Sequence, residues 1–524
     1  MKYLNVLLKI IFISCVGVTT VSTLNAQTKP PANLENYVRQ VQEKFKVPGL
    51  AIAIVKDGKV VLSKGYGVKK LGESHPVDDR TLFAIASNTK AFTATALALL
   101  VEEGKLEWDA PVIRYLPGFR LSDPYVTSEI TTRDLLVHRS GLGLGAGDLL
   151  WWPPSTYDRK EIIHRLQFIP LSTSFRSTYA YDNVLYLVAG EVIEAISGMS
   201  WEDFVSERIL KKIGMNDSNV WHSRAGQGSN AATPHARING KVQIVSPFAS
   251  DNTNPAGGIN SSARDMSQWL VVQLDSGRIA ANERLFSAKT AKELWTMVTP
   301  RKIADPPAEL PELRKEFSGY ALGFGVSDYR GHKMLSHTGG LPGYVSRVTM
   351  IPAKKLGVAV LTNQESSEAF DAITYFIIDY YLKATRTDWL AGYEKFAKRM
   401  ESENMTIEQK LMEKRNRNSQ PSLPLADYCG EYEDAWYGKM SISLDQGKLL
   451  MRFLATPALI GYLEHFQYDT FICRWLDREL RADAFVTFTL NPFGAVDHIK
   501  MQPVSPATDF SFDFQDLLFQ PVVK

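Results

Sequence analysis

The sequence predicts a mixed α/β domain, in which an antiparallel sheet is combined with a helical region, followed by a small all-β, barrel-like domain. A hairpin pattern opens the sheet, because apolar runs at 50–55 and 59–64 flank the turn formed by Asp57 and Gly58. Strand-like runs return at 346–351 and 357–361, so these later runs would complete the sheet that the hairpin begins. Helix-like segments lie between them.

The chain of 524 residues is too long for one hydrophobic core, and we divide it into four segments. These are a signal peptide at 1–26, a main domain at 27–385, a helical linker at 386–424 and a β domain at 425–524. The linker contains a charged, helix-favouring stretch and ends in a proline-containing pentapeptide at 420–424. Strands of the β domain are predicted at 440–444, 449–454, 470–475, 484–490 and 496–502.

Residues 1–26 have the pattern of a signal peptide. Lys2 and Lys9 are followed by an apolar run at 10–24, and Ala26 ends an acceptable small-residue cleavage site. The run is shorter than the ~20 apolar residues that a membrane span needs, which disfavours an uncleaved anchor. We therefore expect a periplasmic or secreted protein with no stable membrane insertion after signal removal.

Charge and cysteine content exclude several classes of function. Removal of Lys2 and Lys9 from the 59 basic residues leaves 57, which equals the number of acidic residues, so neither nucleic acid nor an anionic membrane surface is an expected partner. No clustered Cys/His spacing occurs, and we predict no metal and no cofactor. The mature chain would keep Cys429 and Cys473, for which a disulfide and two free thiols both stay open.

The first motif with chemical content is Ser87-Asn88-Thr89-Lys90, where a strand-like run ends and an alanine- and leucine-rich helix begins. A serine and a lysine three residues apart on a helix share one face, so a neutral lysine can take the hydroxyl proton and leave a nucleophile. The free N–H groups at the start of the helix suit an oxyanion. Taken alone, the motif favours the alternative of an N-cap serine followed by a solvated lysine in the first turn.

The second motif, Tyr181-Asp182-Asn183, lies on a polar loop that leads into a helix-like segment at 184–196. A phenol can relay protons to a leaving group, and an amide can hold a substrate carbonyl or the lysine. The alternative is an N-cap asparagine beside a packed tyrosine. Between the first two motifs, Trp151 and Trp152 could line an apolar pocket, although packing or an oligomer contact is the commoner role of such a pair.

The third motif, His337-Thr338-Gly339-Gly340, ends a strand-like run at 333–336. Glycines at the edge of a strand allow a ligand to approach the backbone closely. The alternative is a hairpin turn with a capping threonine. The order of the three motifs along the chain favours one common site over three separate accidents.

With these motifs the chain resembles the penicillin-recognising serine hydrolases, which include class C β-lactamases, D-Ala-D-Ala carboxypeptidases, D-aminopeptidases and related esterases. The stretches at 138–142 and 255–259 add to the resemblance, which covers about residues 33–385. It implies an α/β sandwich, with an antiparallel sheet flanked by helices and an additional all-helical subdomain. The β domain resembles a lipocalin-like module found in some of these hydrolases, and we expect it to cap the cleft or to mediate assembly.

The resemblance implies catalytic roles for three side chains. Ser87 would be acylated, Lys90 would be its general base, and Tyr181 would protonate the leaving group and then activate water. The backbone N–H groups of Ser87 and Gly340 would form the oxyanion hole. Lys90 can serve as a base only if its pKa lies well below the free value of ~10.4, which we expect from burial in the apolar helix and from nearby cations.

The resemblance also implies substrate-binding roles for Asn183, His337, Thr338 and Gly339. The lactam-recognising members carry a lysine where this chain has His337. Imidazole is mostly neutral near pH 7, so a substrate carboxylate would gain less there. The histidine is more similar to the aminopeptidase and esterase members, and β-lactam hydrolysis is therefore the least favoured activity.

Three classes of function follow from the sequence. The first is a secreted serine hydrolase that cleaves an amide or ester, in a D-amino-acid peptide or a small ester, through an acyl-enzyme. The second is an acyltransferase that passes the same acyl group to an alcohol or amine. The third, a penicillin-binding sensor that is acylated without turnover, is disfavoured because Tyr181 and Asn183 are intact. The expected partner is a small molecule or short peptide, and the oligomeric state stays open.

Overall fold

An eight-stranded antiparallel sheet forms the centre of the main domain in the computed structural model, which describes residues 29–522. The predicted signal peptide lies outside the described residues. Gly49–Lys56 pairs with Leu356–Thr362, so the later strands complete the sheet that the hairpin opens, as the sequence predicted. In spatial order the strands are Lys59–Gly67, Gly49–Lys56, Leu356–Thr362, Tyr344–Ile351, His332–Leu341, Gly325–Tyr329, Ser318–Tyr320 and Thr299–Pro300.

Both faces of this sheet are covered, which gives the predicted sandwich. Along Gly49–Lys56, alternate side chains join two different hydrophobic cores, because successive residues of a strand point to opposite faces. One core contains the helices Leu34–Phe45, Ser367–Leu382 and the start of Trp389–Glu413. The other core contains Ala263–Leu274 and the helical region.

The helical region follows the strand Lys59–Gly67 and carries the first two motifs. Its helix Lys90–Glu102, the nucleophile helix, is buried from Lys90 to Leu100, as expected for a helix that is apolar all round. The other helices are Pro124–Glu129, Thr132–Leu136, Arg159–Arg165, Val184–Ser197, Trp201–Val205, Asn254–Gly257, Ala263–Leu274 and Ala288–Leu294. Short two-stranded ladders join Phe83–Ala84 to Asn260–Ser261, His235–Ile238 to Lys241–Ile244 and Arg278–Ala280 to Glu283–Arg284.

Within residues 29–522, no single helix combines the length and the apolar composition of a membrane span. The bent pair Val184–Ser197 and Trp201–Leu210 meets the length and composition criteria only when the two are taken together.

The predicted linker is dominated by one helix of 25 residues, Trp389–Glu413, whose first turn packs Trp389 and Tyr393 against the main domain. An irregular segment then leads into the C-terminal domain. Both cysteines of the described chain, Cys429 and Cys473, are free thiols.

The C-terminal domain is a nearly closed barrel of eight antiparallel strands, which confirms the barrel-like prediction. Ile499 and Phe519 exchange two backbone hydrogen bonds of 2.8 and 3.1 Å, and these join the two ends of the sheet. Three of the strands were not predicted, because they are either very short or contain glycine and charged residues with weak strand propensity. In spatial order the strands are Val496–Pro503, Ala484–Leu490, Thr470–Trp475, Ile460–Gln467, Lys448–Phe453, Gly438–Asp445, Gly430–Asp434 and Gln520–Pro521, of which Ile460–Gln467, Gly430–Asp434 and Gln520–Pro521 are the unpredicted ones.

Candidate active site

Ser87 lies on a tight turn at the start of the nucleophile helix. Ala86, directly before it, has a φ of 48°, in the left-handed region that side chains other than glycine rarely adopt. Residues Ala86–Thr89 form a 3₁₀ turn that continues into the helix, so Lys90 lies one turn beyond the serine. The Nζ atom of Lys90 is 3.1 Å from the Oγ atom of Ser87. The Ser87 hydroxyl therefore faces the lysine, and the N-cap positions of the 3₁₀ turn and of the helix belong to Ile85 and Thr89 instead.

The second motif brings a phenol and an amide to the same place. The Tyr181 hydroxyl donates to Ser87 Oγ at 2.9 Å, and Asn183 Oδ1 accepts from Lys90 Nζ at 2.7 Å. Asn183 immediately precedes the helix Val184–Ser197, but its side chain forms no capping hydrogen bond. Its Nδ2 atom instead donates to Asp148 Oδ2 at 2.8 Å. The capping alternative is therefore wrong for this asparagine.

Burial lowers the pKa of Lys90 to about 7, because the charged amine loses its hydration. The expectation of nearby cations was wrong: the charged groups that act on Lys90 are the carboxyls of Asp148 and Asp182, which raise its pKa. Both carboxyls are themselves fully buried, and burial raises the pKa of each to about 7. Besides Ser87 and Asn183, the lysine donates to the Ala256 carbonyl at 3.0 Å. Desolvation alone makes this amine a base near neutral pH.

Burial acts in the opposite direction on Tyr181, whose pKa it raises well above the ordinary value of a phenol. The hydroxyl therefore stays protonated in the pH range where Lys90 loses its proton. The ring also packs on the lysine, with Nζ 4.9 Å from the ring centroid. The two groups next to Ser87 are thus a base and an acid.

The third motif belongs to the strand His332–Leu341, so the hairpin-turn alternative is wrong. His337 Nδ1 lies 2.6 Å from the Thr338 carbonyl, which can only accept, so Nδ1 carries the proton and Nε2 accepts from the Tyr320 hydroxyl at 2.7 Å. Burial lowers the pKa of His337 to about 3, which keeps the ring neutral. The strand thus presents an uncharged imidazole to the site.

Gly339 allows this strand to lie directly on the turn that carries the serine. A Cβ atom at this position would be 2.1 Å from the Ile85 carbonyl oxygen, far closer than any real contact. At Gly340, by contrast, a Cβ atom would meet open space. Only the first glycine is required by packing.

A cleft of about 520 Å³ lies between the strand and the helical region. Ser87 and Tyr181 line it, together with His337, Thr338 and Gly340 of the strand. Trp151 and Trp152 also line the cleft, so the less favoured pocket interpretation of this pair holds.

Two basic side chains that no motif predicted, Arg301 and Lys315, line the cleft, and the charge of Arg301 acts on His337. Neither forms an ion pair with any residue in the described range 29–522. A positive region therefore adjoins the neutral histidine.

Sequence reasoning also missed Asp148 and the contribution of the C-terminal domain. Asp509, Phe510 and Ser511 of the barrel line the cleft, and the Ser511 hydroxyl donates to Asp148 Oδ2 at 2.8 Å. This segment therefore forms part of the cleft wall, whereas the two expected roles of the domain, capping the cleft or mediating assembly, stay predictions. No spacing signal could have found these residues, because Asp148 lies in a glycine-rich stretch and Ser511 lies 363 residues further along the chain.

Among residues 29–522 no group of three or more His, Cys, Asp or Glu side chains could hold a metal ion.

A family model described as Beta-lactamase matches residues 34–382, and a domain of unknown function (DUF3471) matches residues 414–521. The chain is 28% identical over 434 residues to Unguisins hydrolase ungD' of Aspergillus campestris, covering 79% of this chain and 78% of that protein. It is 28% identical over 361 residues to N-acetylmuramyl-L-alanine amidase of Bacillus subtilis, a match that covers 62% of this chain and 79% of that protein. The octameric penicillin-binding protein homologue from Pyrococcus abyssi shares the fold, with a TM-score of 0.58 and 22% identity. The match covers 93% of this chain and 99% of that chain.

Proposed function

The chain belongs to the beta-lactamase family of serine hydrolases, as its motifs predicted, and we propose that it cleaves an amide or ester bond through an acyl-enzyme on Ser87. The observation that carries this proposal is the geometry at Ser87 Oγ, which lies 3.1 Å from the Lys90 amine and 2.9 Å from the Tyr181 hydroxyl. Because burial lowers the pKa of Lys90 to about 7, the amine can be uncharged near neutral pH and act as a base.

In acylation, neutral Lys90 accepts the Ser87 proton as Oγ attacks the substrate carbonyl carbon. The backbone N–H groups of Ser87 and Gly340 stabilise the oxyanion that forms. Tyr181 gives its proton to the departing amine or alcohol, and the new ammonium on Lys90 restores that proton to the phenol. In deacylation, Lys90 and Tyr181 take a proton from a water molecule whose oxygen attacks the acyl carbon of the Ser87 ester. The same proton is passed to Ser87 Oγ as the bond to the acyl group breaks, which releases the acid and restores the free serine.

The walls of the cleft and the names of the relatives support the substrate class that we propose. The Bacillus relative is named an amidase, which supports an amide bond, and the Aspergillus relative is named a hydrolase, which supports hydrolysis in general. A neutral His337 offers little attraction to a carboxylate directly beside Thr338. We therefore place peptides containing D-residues and small esters ahead of β-lactams.

Export to the periplasm or the medium is part of this proposal, and it rests on the signal-peptide pattern at 1–26. A small-molecule or short-peptide substrate is consistent with a cleft of about 520 Å³.

The direct test is labelling with a fluorophosphonate probe followed by mass mapping of the modified residue. We expect the label on Ser87, no label in Ser87→Ala, and unchanged labelling in Ser177→Ala, a matched change of an exposed serine outside the cleft. A panel of D-aminoacyl anilides, p-nitrophenyl esters and nitrocefin then ranks the substrate classes. A label on another residue, or full turnover by Ser87→Ala, would contradict the proposal.

A further inference from the structure

Asp148 is a fully buried carboxyl that accepts three hydrogen bonds from three parts of the chain. Its Oδ1 atom accepts from the Trp151 indole N–H at 2.9 Å. Its Oδ2 atom accepts from Asn183 Nδ2 at 2.8 Å and from the Ser511 hydroxyl at 2.8 Å. A carboxyl that only accepts is satisfied as an anion, so these donors favour ionised Asp148 while burial opposes it.

The barrel segment that supplies Ser511 is fitted closely to the loop that carries Asp148. The carboxyl of Asp513 accepts from the backbone N–H groups of Gly147 and Leu149, at 2.7 and 3.2 Å, on either side of Asp148. At Gly145 a Cβ atom would lie 2.8 Å from the Phe510 carbonyl oxygen, so the two backbones approach without room for a larger residue. The two domains therefore form a specific, closely packed interface at this point.

We propose that Ser511, in the C-terminal barrel, is a positioning residue for the nucleophile: its hydroxyl holds the Asp148 carboxylate, which fixes Asn183 with its amide oxygen on Lys90. The proposal rests on the proposed function of Ser87. Under this proposal both domains contribute residues that position the catalytic groups, so the barrel is required for full hydrolase activity.

The orientation of the Asn183 amide connects the hydrogen bonds of Asp148 to those of Lys90. An asparagine side chain has one accepting and one donating end, and a flip would direct Nδ2 towards the lysine. Ionised Asp148 can only accept, so it holds Nδ2 of Asn183 and leaves Oδ1 for Lys90. Protonated Asp148 could donate instead, which would remove the constraint. The ammonium that forms when Lys90 takes the Ser87 proton is also stabilised by a nearby anion.

Titratable groups from several elements face Lys90 and Asp148, so the pH dependence of the reaction also depends on the charges of these groups. The groups that face Lys90 or Asp148 are Asp182, Tyr181, Tyr186, His138, His222, His337 and Asp513. Burial keeps the three histidines neutral and the two phenols protonated, which leaves the carboxyls as the groups that titrate with Lys90.

The test compares Ser511→Ala with the wild-type full chain, using kcat/KM corrected for the active fraction by fluorophosphonate titration. Loss of one donor raises the pKa of Asp148, so the active form, with neutral Lys90 and ionised Asp148, is reached only at higher pH. We expect a roughly tenfold fall in kcat/KM near pH 7 and a smaller deficit near pH 9, with the acid limb moved to higher pH. Trp151→Phe, which removes a second donor from the same carboxyl, should move the limb in the same direction.

Two variants separate positioning from a general effect on folding. Ser511→Thr keeps a hydroxyl and should restore most of the activity. Ser505→Ala makes the same change in the same barrel segment, where the hydroxyl only accepts from the Ala507 N–H, and should behave as wild type. If Ser511→Ala has the pH profile of the wild type, or loses activity equally at every pH, the inference about Ser511 is wrong. The proposed function would still stand in that case, provided that the probe labels Ser87. Absence of Ser87 labelling in the wild type would instead overturn the proposed function itself.

Discussion

At the scale of single residues, burial divides the proton-transfer roles around Ser87. Loss of hydration disfavours the charged form of every group, so it lowers the pKa of Lys90 to about 7 and raises that of Tyr181 well above 10. The same effect lowers the pKa of His337 to about 3. The amine is then the only one of the three that changes charge near neutral pH.

This assignment predicts the pH dependence of the reaction. Because Lys90 must be neutral to accept the Ser87 proton, kcat/KM should rise with pH through an acid limb near pH 7. Lys90→Arg stays protonated at every accessible pH and should lower kcat/KM by about 10²–10⁴-fold throughout.

Steady-state kinetics of purified variants between pH 5 and 10 check this prediction. Lys333→Arg is the matched control, because that lysine lies outside the cleft and donates to the Trp295 carbonyl. An acid limb near the pKa of free lysine, or an active Lys90→Arg enzyme, would show that the amine is not the base.

At the scale of elements, the site depends on how closely the strand His332–Leu341 packs on the turn before the nucleophile helix. Gly339 is the point of contact, since the Ile85 carbonyl occupies the space of its missing side chain. Ser346 on the neighbouring strand joins the same contact, with its hydroxyl donating to that carbonyl at 2.8 Å and accepting from Asn88 Nδ2 at 2.8 Å. These contacts hold the strand and the turn together.

Gly339→Ala should separate strand and turn. We expect a loss of about 1–3 kcal/mol in the free energy of unfolding, typical of overpacking, together with a fall in acylation rate because the oxyanion donors no longer lie opposite each other. Gly340→Ala introduces the same methyl group into open space and serves as the control for stability. Urea unfolding followed by tryptophan fluorescence measures the difference, and equal midpoints for the two variants would argue against a packing role of Gly339.

At the scale of the whole molecule, the barrel is held on the helical region by hydrogen bonds to its backbone. The Tyr157 hydroxyl donates to the Tyr437 carbonyl at 2.6 Å, and Arg165 Nη1 donates to the Trp436 carbonyl at 3.1 Å. An ion pair between Arg481 and Glu365 links the barrel to the main domain at a separate point. The Trp436 indole N–H also donates to the Asp516 carbonyl at 3.2 Å, so the first two contacts adjoin the segment that contributes Ser511.

Tyr157→Phe should loosen the docking of the barrel without unfolding it. The change removes one interdomain hydrogen bond, worth about 1 kcal/mol, and leaves the Tyr437 carbonyl without this donor. We expect faster amide hydrogen exchange in residues 509–513 and unchanged exchange in the barrel strands, measured by mass spectrometry. Tyr462→Phe removes a tyrosine hydroxyl whose partner, Asp445, lies within the barrel, and it should leave residues 509–513 unaffected. Equal exchange in both variants would mean that this contact does not hold the domains together.

The sequence by itself determined the elements and residues that depend on short spacing. A serine and a lysine three residues apart share a helix face whatever the rest of the chain does, and alternating apolar runs give strands with one face in each core. For this reason the hairpin, the nucleophile helix and the three motifs could be predicted. The family model over residues 34–382 agrees with that assignment.

Only the tertiary structure decided the surroundings of these residues. Asp148, Arg301 and Ser511 carry no local signal, and the sign of the charge beside Lys90 depends on which distant loop packs there. Ser511 and Asp148 are 363 residues apart, and their hydrogen bond exists only because the barrel packs on the helical region. Short-range spacing fixes which groups can react, whereas long-range packing fixes their protonation, because burial and contact are properties of the folded chain.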